Sequence, residues 1–413
     1  MKHVYTSIDI GSDTVKVVVC ELFQNKLNLL ATSSIKSKGI KKGLITDVYE
    51  ASESVKKALN EVEQMLGIQI KKVITSIPGY QADFVMVNGA IELNREEIID
   101  GKDVTDLLQL AMKEKTVPNK EMVTVIPIDF TLDEKKGIKD PKGMQGSNLF
   151  VRAVMVMSPK KNIYSVVNLL ESVGLEVIDI SLNSIGDFYS VRDKDIKDLV
   201  GAVINIGYET TSIALYNKGI LVKNSMMGMG GKNIDNDLSY IYKLSSEDAS
   251  RVKERFALAS KNYASVNDTM EITDKTGEVI KINQLEASEI VMSRIEEILV
   301  LARKEINILT KREVDYILIT GGTSSMNNFS LIAESVLGKV AMVGDIRMIG
   351  LRNNKFSTNV GNIVYFINKL KLKGRDYTMI SKSDMEELSS TKKSSIISSE
   401  SMLGKIFGYF FSE

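Results

Sequence analysis

Three glycine-rich turns, each directly after an apolar and β-prone run, constrain the fold of this chain more than any other feature. They are Gly11-Ser12-Asp13-Thr14, Gly207-Tyr208-Glu209-Thr210-Thr211 and Gly321-Gly322-Thr323-Ser324. Glycine lets the backbone approach a phosphate closely, and successive N–H groups in a tight turn form an anion-binding nest. Each turn alone is typical of any tight turn, but the ordered set of three predicts a phosphate-binding cleft. The third turn leads into a helix and suits a sugar and base.

The first two turns belong to segments that resemble each other. Ile8-Asp9-Ile10-Gly11 aligns with Ile204-Asn205-Ile206-Gly207, Thr14 aligns with Thr210, and an apolar strand follows in both segments. A repeat over so long a separation predicts two related halves that face each other. A chance likeness between two β-hairpins is the alternative.

Charged side chains flank the first turn. Asp9 precedes it and would hold Mg²⁺ through water, and Lys16 follows it and would neutralise phosphate oxygens. A solvated lysine on a strand is the alternative for Lys16. The chain has no GxxxxGK[ST] motif, so the turn is not a Walker loop.

Composition excludes several classes of function. Lys and Arg number 53, as do Asp and Glu, and this zero net charge argues against a nucleic-acid binder. A single cysteine, Cys20, cannot form an internal disulfide, and His3 as the only histidine argues against Ser-His-Asp chemistry. No secretory signal is visible, and no run reaches the roughly 18 apolar residues of a spanning helix. We therefore expect a cytosolic protein whose membrane contact, if any, is at the surface.

Periodicity predicts the elements between the turns. Helical spacing predicts a helix over 48–66 that Gly67 stops, and the next strand falls at 73–77. Residues 83–160 differ, because short β-prone runs surround one helix in the pattern of a small α+β insertion. These runs are 84–87, 123–130 and 149–157, and the helix lies near 104–115. A further glycine turn is expected at Val360-Gly361-Asn362.

The C-terminal segment has two parts. After Gly374 the sequence is rich in Ser and Lys and predicts a flexible linker. In the last dozen residues the apolar side chains fall on one helical face, which predicts an amphipathic helix on a membrane surface. They are Met402, Leu403, Ile406, Phe407, Phe410 and Phe411. A helix that docks on the core or on a partner is the alternative.

These motifs resemble those of a known family. DIGSDTVKV resembles the first phosphate motif of actin-like ATPases, INIGYETTSIAL the second, and ILITGGTSSM the adenosine motif. Within that superfamily the chain resembles the bacterial cell division protein family FtsA over residues 1 to about 370, with the linker and tip in addition. The stretches that carry this are KSKGIKKGLITDVYEASESVKKALNEVEQMLG, GIKDPKGMQGSNLFVRAVMV and SVVNLLESVGLEVIDISLNSIG.

The resemblance implies an α/β, actin-like (ribonuclease H-like) fold of two lobes, with an FtsA-type α+β insertion called 1C in place of the fourth actin subdomain. The implied boundaries are subdomain 1A at 1–83, 161–198 and 345–373, 1C at 84–160, 2A at 199–235 and 299–344, 2B at 236–298, a linker at 374–400 and the membrane helix at 401–413.

It also implies a function. The family binds ATP with Mg²⁺ between its lobes, forms protofilaments of itself, binds the C-terminal peptide of FtsZ and recruits later divisome proteins at the inner face of the membrane. We see no convincing general base, so we expect a scaffold with weak ATPase activity at most and no catalytic residue. The alternatives are a sugar kinase, a chaperone-type ATPase and a pilus-assembly relative of the same fold.

By resemblance, specific residues would contact nucleotide. Asp9 and Asn205 would face the metal, and the segment GMGGKNIDNDL has Asp235 in place of a family threonine and retains Asp237. The family usually has an acid where this chain has Asn205, and small residues where it has Tyr208 and Glu209. The cofactor-contacting set is Gly11, Ser12, Asp13, Thr14, Lys16, Gly207, Tyr208, Glu209, Thr210, Thr211, Gly230, Gly231, Glu247, Arg251, Lys253, Gly321, Gly322, Thr323 and Ser324. Solvated helix-face charges are the alternative for Glu247, Arg251 and Lys253.

By resemblance, the partner site is expected in the helix-rich piece 236–298 and the helix start after it, where the helix from Leu285 onward carries the candidate cations. The FtsZ tail of the family is short, acidic and partly apolar, so Arg294 and Lys304 are the candidates to pair with its carboxylates. Ordinary solvated charges on a helix face are the alternative.

Overall fold

A computed structural model describes residues 3–93, 98–113, 115, 117–196, 198–386 and 388. The expected membrane helix, 401–413, and residues 387 and 389–400 of the expected linker lie outside the described residues. Within the described residues, no helix combines the length and apolar character needed to span a membrane.

The first half of the chain holds one lobe and the insertion. Its elements are β1 (His3–Ile10), β2 (Thr14–Phe23), β3 (Lys26–Lys36), β4 (Ile40–Lys41), β5 (Leu44–Ile45), α1 (Val48–Leu66), β6 (Lys72–Ile77), β7 (Asp83–Glu92), α2 (Gly101–Met112), β8 (Lys120–Leu132), β9 (Lys135–Ile138), β10 (Asn148–Pro159), α3 (Lys160–Ser172), β11 (Glu176–Leu182) and α4 (Asn183–Val191).

The second half completes the structure. Its elements are β12 (Val200–Ile206), β13 (Thr211–Asn217), β14 (Ile220–Met227), α5 (Gly231–Ile241), α6 (Ser246–Arg255), β15 (Thr269–Thr273), β16 (Val279–Asn283), α7 (Gln284–Leu309), β17 (Tyr316–Thr320), α8 (Phe329–Leu337), β18 (Ala341–Val343) and α9 (Ser357–Leu372).

Two five-stranded sheets form the two lobes, in the orders β11-β6-β1-β2-β3 and β14-β13-β12-β17-β18. Each central strand, β1 or β12, pairs antiparallel with the next strand of its hairpin and parallel with a later strand, β6 or β17. Asp9 lies opposite Lys16 in the first hairpin, and Asn205 lies opposite Ser212 at the same place in the second. The two halves predicted from the sequence repeat are therefore confirmed.

Local sequence explains the clearest element. In α1 the Asp47 side chain accepts a hydrogen bond from Glu50 N at the start, and Gly67 ends the helix in the left-handed region at φ 75°. One face buries apolar side chains that include Val55 and Val62, and each contributes ~1.5–3 kcal/mol. The sequence prediction of both helix ends is confirmed.

The insertion is a four-stranded sheet in the order β7-β10-β8-β9, with α2 packed on one face. The helix approaches closely at Gly89, where a Cβ would lie 2.9 Å from the Cβ of Ala111. Asp100 caps α2, since its carboxylate accepts from the N–H groups of Lys102 and Asp103. The predicted helix and three strands are present, and β9 is a fourth strand that was not among the predicted runs.

Helices α4 and α9 cross closely beside the cleft. A Cβ at Gly361 would lie 1.6 Å from the carbonyl oxygen of Gly186, so only glycine allows this approach. The glycine turn predicted at residues 360–362 is therefore wrong: this segment lies inside α9, and its glycine serves a helix contact. Phe188 of α4 stacks on Tyr216 of the second lobe with ring centroids 4.0 Å apart.

The segment just after α9 is packed and does not form a linker. Met379 N donates to Val4 O at 2.9 Å, Val4 N donates to Thr378 Oγ1 at 3.0 Å, and Met379 and Ile380 are buried. The prediction of a linker from residue 374 is corrected here, because apolar residues among the polar ones find partners on β1.

Candidate functional site

All three glycine-rich turns open into one cleft of about 580 Å³ between the lobes. This size suits a small-molecule ligand. Fifteen of the predicted cofactor and metal residues line it: Asp9, Gly11, Ser12, Asp13, Thr14, Lys16, Asn205, Gly207, Tyr208, Glu209, Thr210, Lys253, Gly321, Gly322 and Thr323.

The first two turns are closed in the same way. Gly11 N donates to Thr14 O at 3.1 Å, and Gly207 N donates to Thr210 O at 2.9 Å. In both, a Cβ on the glycine would lie 3.0 to 3.1 Å from the same carbonyl oxygen, so a larger residue would crowd the turn. The backbone at each tip is therefore presented to the cleft without an intervening side chain at the glycine.

Asp9 and Lys16 form a buried ion pair on the first hairpin. The Lys16 Nζ lies 2.5 Å from Asp9 Oδ2, and the two side chains are 11% and 8% exposed. The corresponding positions of the second hairpin, Asn205 and Ser212, are uncharged. In the described ranges no group of three or more His, Cys, Asp or Glu side chains could hold a metal ion, so a metal here would need ligand oxygens besides Asp9.

Glu209 of the second turn does not point into the phosphate region as a free charge. Its Oε1 accepts from Lys232 Nζ at 2.7 Å, and its Oε2 accepts from the backbone N–H of Lys42 at 2.6 Å. Lys42 belongs to the β4–β5 hairpin of the first lobe. Burial raises the pKa of Glu209, but the contacts with Lys232, Lys42 and Ser12 prevail and leave it below its ordinary value. The Glu209 carboxylate therefore links the second lobe to the first across the cleft.

Tyr208, the other departure in this turn, lies among charges. The Lys36 and Lys253 ammonium groups lie 5.4 and 5.6 Å from its ring centroid. Burial, and next the Asp235 and Asp13 carboxylates, raise the pKa of its hydroxyl. Tyr208 therefore places an uncharged phenol beside the second turn.

Helix α6 presents a different face from the one expected. Lys253 is buried and pairs with Asp235 at 2.7 Å, whereas Glu247 and Arg251 are exposed and do not line the cleft. Arg251 instead pairs with Asp248 one turn away. Ser250 and Glu254 share the face of Lys253 and line the cleft, and they were missed because helical periodicity does not indicate which face meets a ligand.

The third turn requires glycine at position 321. Gly321 has φ 91°, and a Cβ there would lie 2.5 Å from both Asn205 Oδ1 and Ile206 O. Thr323 Oγ1 donates to Gly207 O at 3.3 Å and so joins the third turn to the second. Gly322 is open, since the nearest atom to its Cβ would be the Cβ of Lys355 at 3.7 Å.

Four predicted residues lie behind the cleft wall. Thr211 donates to Met229 O at 2.8 Å, and Ser324 donates to Gly321 O at 2.9 Å. The N–H of Gly231 donates to Gly207 O at 2.9 Å, and a Cβ at Gly230 would lie 2.5 Å from that same oxygen. Their role is to support the second and third turns.

Asp187 is a buried acid that the sequence analysis missed. It lies on α4 with no exposed surface, and its Oδ1 accepts from Ser357 Oγ and Thr358 Oγ1, both at 2.8 Å. Burial raises its pKa to about 6, although hydrogen bonds from Asn205, Ser357 and Thr358 lower it. The one sequence signal for Asp187 is that this acidic residue lies among apolar ones, in Ile185-Gly186-Asp187-Phe188.

A second, open groove lies between α5 and α7. Its volume is about 380 Å³, and it is lined by Asp237, Tyr240, Ile241, Glu289, Ile290, Ser293, Arg294 and Glu297. The Arg294 guanidinium forms two bonds to Asp237, Nε to Oδ2 at 2.6 Å and Nη2 to Oδ1 at 2.9 Å, and a third to Glu297. Arg294 is therefore in the groove but already paired, contrary to the expected free cation.

Lys304 does not belong to this groove. It is exposed on α7, ten residues beyond Arg294, which corresponds to about 15 Å along a helix. Tyr240, by contrast, is 87% exposed on the groove and was not predicted.

Comparisons with known proteins agree with this architecture. Residues 202–361 match the family model of cell division protein FtsA, and residues 79–157 match that of the SHS2 domain inserted in FtsA. The chain is 31% identical over 377 residues to the cell division protein FtsA of Bacillus subtilis (strain 168), covering 90% of this chain and 86% of that one. The FtsA of Enterococcus hirae is 29% identical over 365 residues, covering 87% of this chain and 82% of that one.

Two solved structures resemble this chain in fold. The PilM-PilN type IV pilus biogenesis complex superposes with a TM-score of 0.58 at 14% identity, covering 87% of this chain and 98% of that one. MreB5 of Spiroplasma citri bound to ADP gives 0.55 at 13% identity, covering 90% of this chain and 98% of that one.

Two related sheets around a cleft, with turns from both lobes converging in it, define an actin-like protein, and the fold expected from the resemblance is confirmed. The inserted sheet of residues 79–157 distinguishes one branch of that class. The chain belongs to the FtsA family of cell division proteins.

Proposed function

We propose that the protein binds ATP with Mg²⁺ in the cleft between its lobes and acts as a scaffold of the division machinery. The observation that carries the nucleotide proposal is the convergence of three glycine-rich turns, from both lobes, on one cleft. MreB5, which has the same fold, was solved with ADP and with AMPPNP.

The cleft residues fit a polyphosphate and a metal bound through it. The two hairpin tips offer backbone N–H groups, Lys16 would neutralise phosphate oxygens, and Asp9 would hold Mg²⁺ through water. Asn205 would bond a metal-held water without adding charge. Asp9, Asp13 and Glu209 each form an ion pair with a lysine. Because a paired carboxylate is poorly placed to activate water, we expect slow hydrolysis of ATP.

Binding of Mg-ATP to wild type, Gly322→Asp and Gly322→Ala tests this proposal. A Cβ at Gly322 would meet nothing closer than 3.7 Å, so neither variant is crowded at that atom. The aspartate would place a bulky anion where the backbone of the third turn contacts the nucleotide and would abolish binding, whereas the alanine variant would keep affinity within about threefold of wild type. A wild-type protein that binds no ATP, or an aspartate variant that binds normally, would contradict the proposal.

The scaffold function requires attachment to the membrane and to the division polymer. We place the attachment in the apolar tip, whose residues lie outside the described part of the chain. Phe407→Glu with Phe410→Glu should release the protein from liposomes while ATP binding is retained, since each buried aromatic contributes ~1.5–3 kcal/mol. Self-assembly into a protofilament would add avidity to one weak anchor. Full co-sedimentation of the double variant with lipid would place the anchor elsewhere.

For the polymer, we propose that the groove between α5 and α7 receives the C-terminal peptide of FtsZ. Three acids and one arginine line it, so exposed Tyr240 and Ile241 would supply most of the contact area. A peptide carboxylate would compete with Asp237 for Arg294. Later divisome proteins and further copies of this chain are the other partners that we propose, as expected of a division scaffold.

Anisotropy of a labelled tail peptide separates these contributions. Arg294→Glu should weaken binding several-fold, about 1–2 kcal/mol, and Asp237→Asn should tighten it because the competing carboxylate is gone. Lys304→Glu is the matched control on the same helix and should change little. Equal affinity of the Arg294 and Lys304 variants would remove this groove from the proposal.

A further inference from the structure

One cation at the cleft lacks an acidic counterpart. Lys16 pairs with Asp9, Lys36 with Asp13, Lys253 with Asp235 and Lys232 with Glu209. Lys355 also lines the cleft, but within the described residues no carboxylate lies within 4.0 Å of its Nζ.

The position of Lys355 links the third turn to the first lobe. It lies on a single helical turn, Asn354–Phe356, just before α9. Its Cβ packs beside Gly322, and its Nζ donates to Ser34 Oγ on β3 at 3.5 Å. The ammonium group therefore lies between the turn assigned to the sugar and base and the strand that follows the phosphate hairpin.

The surroundings disfavour the charge of this lysine in the absence of an anion. Burial and, next, the Lys16 ammonium lower the pKa of Lys355, and the Glu254 and Asp13 carboxylates offset this only in part. A partly buried cation beside another cation costs stability unless something of opposite charge joins it. The remaining contacts, a 3.5 Å bond to one hydroxyl and the Phe356 ring at 5.0 Å, are weak.

We propose that Lys355 binds phosphate oxygens of a nucleoside polyphosphate, and so adds a second ammonium group to that of Lys16 in the cleft. This rests on the proposed nucleotide function and specifies its ligand. Two ammonium groups on one phosphate chain select a di- or triphosphate over the bare nucleoside. The segment of Lys355 joins β18 of one lobe to α9 of the other, so the same contact would join the lobes when phosphate is present.

Isothermal titration of the full chain with Mg-ATP, Mg-ADP and adenosine tests the assignment. Lys355→Met removes the charge and keeps the length. Its affinity for ATP and ADP should fall about tenfold, as expected for the loss of a charge-assisted hydrogen bond. Its affinity for adenosine should stay within about twofold of wild type. Lys355→Arg should restore phosphate binding, and Lys339→Met, an exposed lysine of the second lobe, is the matched control.

Melting temperature without ligand gives an independent readout. A purely structural lysine would destabilise the protein when replaced, whereas Lys355→Met should melt no lower than wild type, because an uncompensated charge is removed. Lys355→Gln serves as the second variant if methionine impairs folding. Unchanged ATP affinity, or an equal loss for ATP and adenosine, would overturn the inference while leaving the nucleotide proposal intact. A wild-type protein that binds none of the three would overturn both.

Discussion

The two hairpins that border the cleft, β1–β2 and β12–β13, share one backbone arrangement and differ in the chemistry of their side chains. In β1–β2 the facing pair is Asp9 and Lys16, and in β12–β13 it is Asn205 and Ser212. The first hairpin is charged and its pair is buried, whereas the second carries Glu209, whose carboxylate reaches the other lobe. The two hairpins therefore differ in what they contribute: the first holds a buried ion pair beside the cleft, and the second contributes a carboxylate that bonds the other lobe.

The largest expected effect comes from breaking the charged hairpin. Lys16→Met leaves Asp9 buried without its partner and should lower the free energy of unfolding by about 3–5 kcal/mol. Ser212→Ala, the equivalent change in the second hairpin, should cost less than about 1 kcal/mol. Urea unfolding measures both. The double variant Asp9→Asn with Lys16→Met should recover most of the loss, and a double variant as unstable as Lys16→Met would contradict a charge-based account.

The second prediction concerns Asp187, which bonds Asn205 of the uncharged hairpin. Its pKa is raised from 3.8 to about 6, so the folded state holds a proton that the unfolded chain has lost. The stability from this group is present below pH ~4 and is lost as the pH rises to ~6. Asp187→Asn should therefore stabilise the protein at pH 8 by about 2–3 kcal/mol and much less at pH 4. A gain independent of pH would contradict this.

The third prediction tests the link that Glu209 makes between the two lobes. Glu209→Gln weakens the contacts to Lys42 N and Lys232 and should cost about 1–2 kcal/mol at pH 7. Because the folded pKa of Glu209 is depressed, this contribution is present above its unfolded pKa and is lost as the pH falls through the lower folded value. Urea unfolding at pH 7 and at pH 3 checks it. Glu254→Gln, the other cleft glutamate, is the control and should have a smaller effect.

Features fixed by short-range chemistry could be predicted from the sequence. The ends of α1 follow from Asp47 and Gly67, and the three turns follow from their glycines after apolar runs. The register that places Asp9 opposite Lys16 follows from the tight turn between them.

Features decided by tertiary contacts could not be predicted. Gly361 resembles a turn residue in the sequence, but its neighbour Gly186 is 175 positions away, and their contact makes it part of a helix crossing. The sequence predicted Arg294 to be available for a partner, because nothing local indicates its contact with Asp237 on another helix. Lys355 lies in the cleft because its helical turn packs beside Gly322, and Asp187 is buried where α4 meets the start of α9. No local sequence pattern shows either contact.

Hydrogen exchange of the full chain, with and without Mg-ATP, tests most directly whether turns from both lobes bind one ligand. The account predicts that exchange slows together at residues 11–14, 207–210 and 322–325, with no comparable change in the inserted sheet. Protection of a single turn, or of none at saturating ATP, would contradict it.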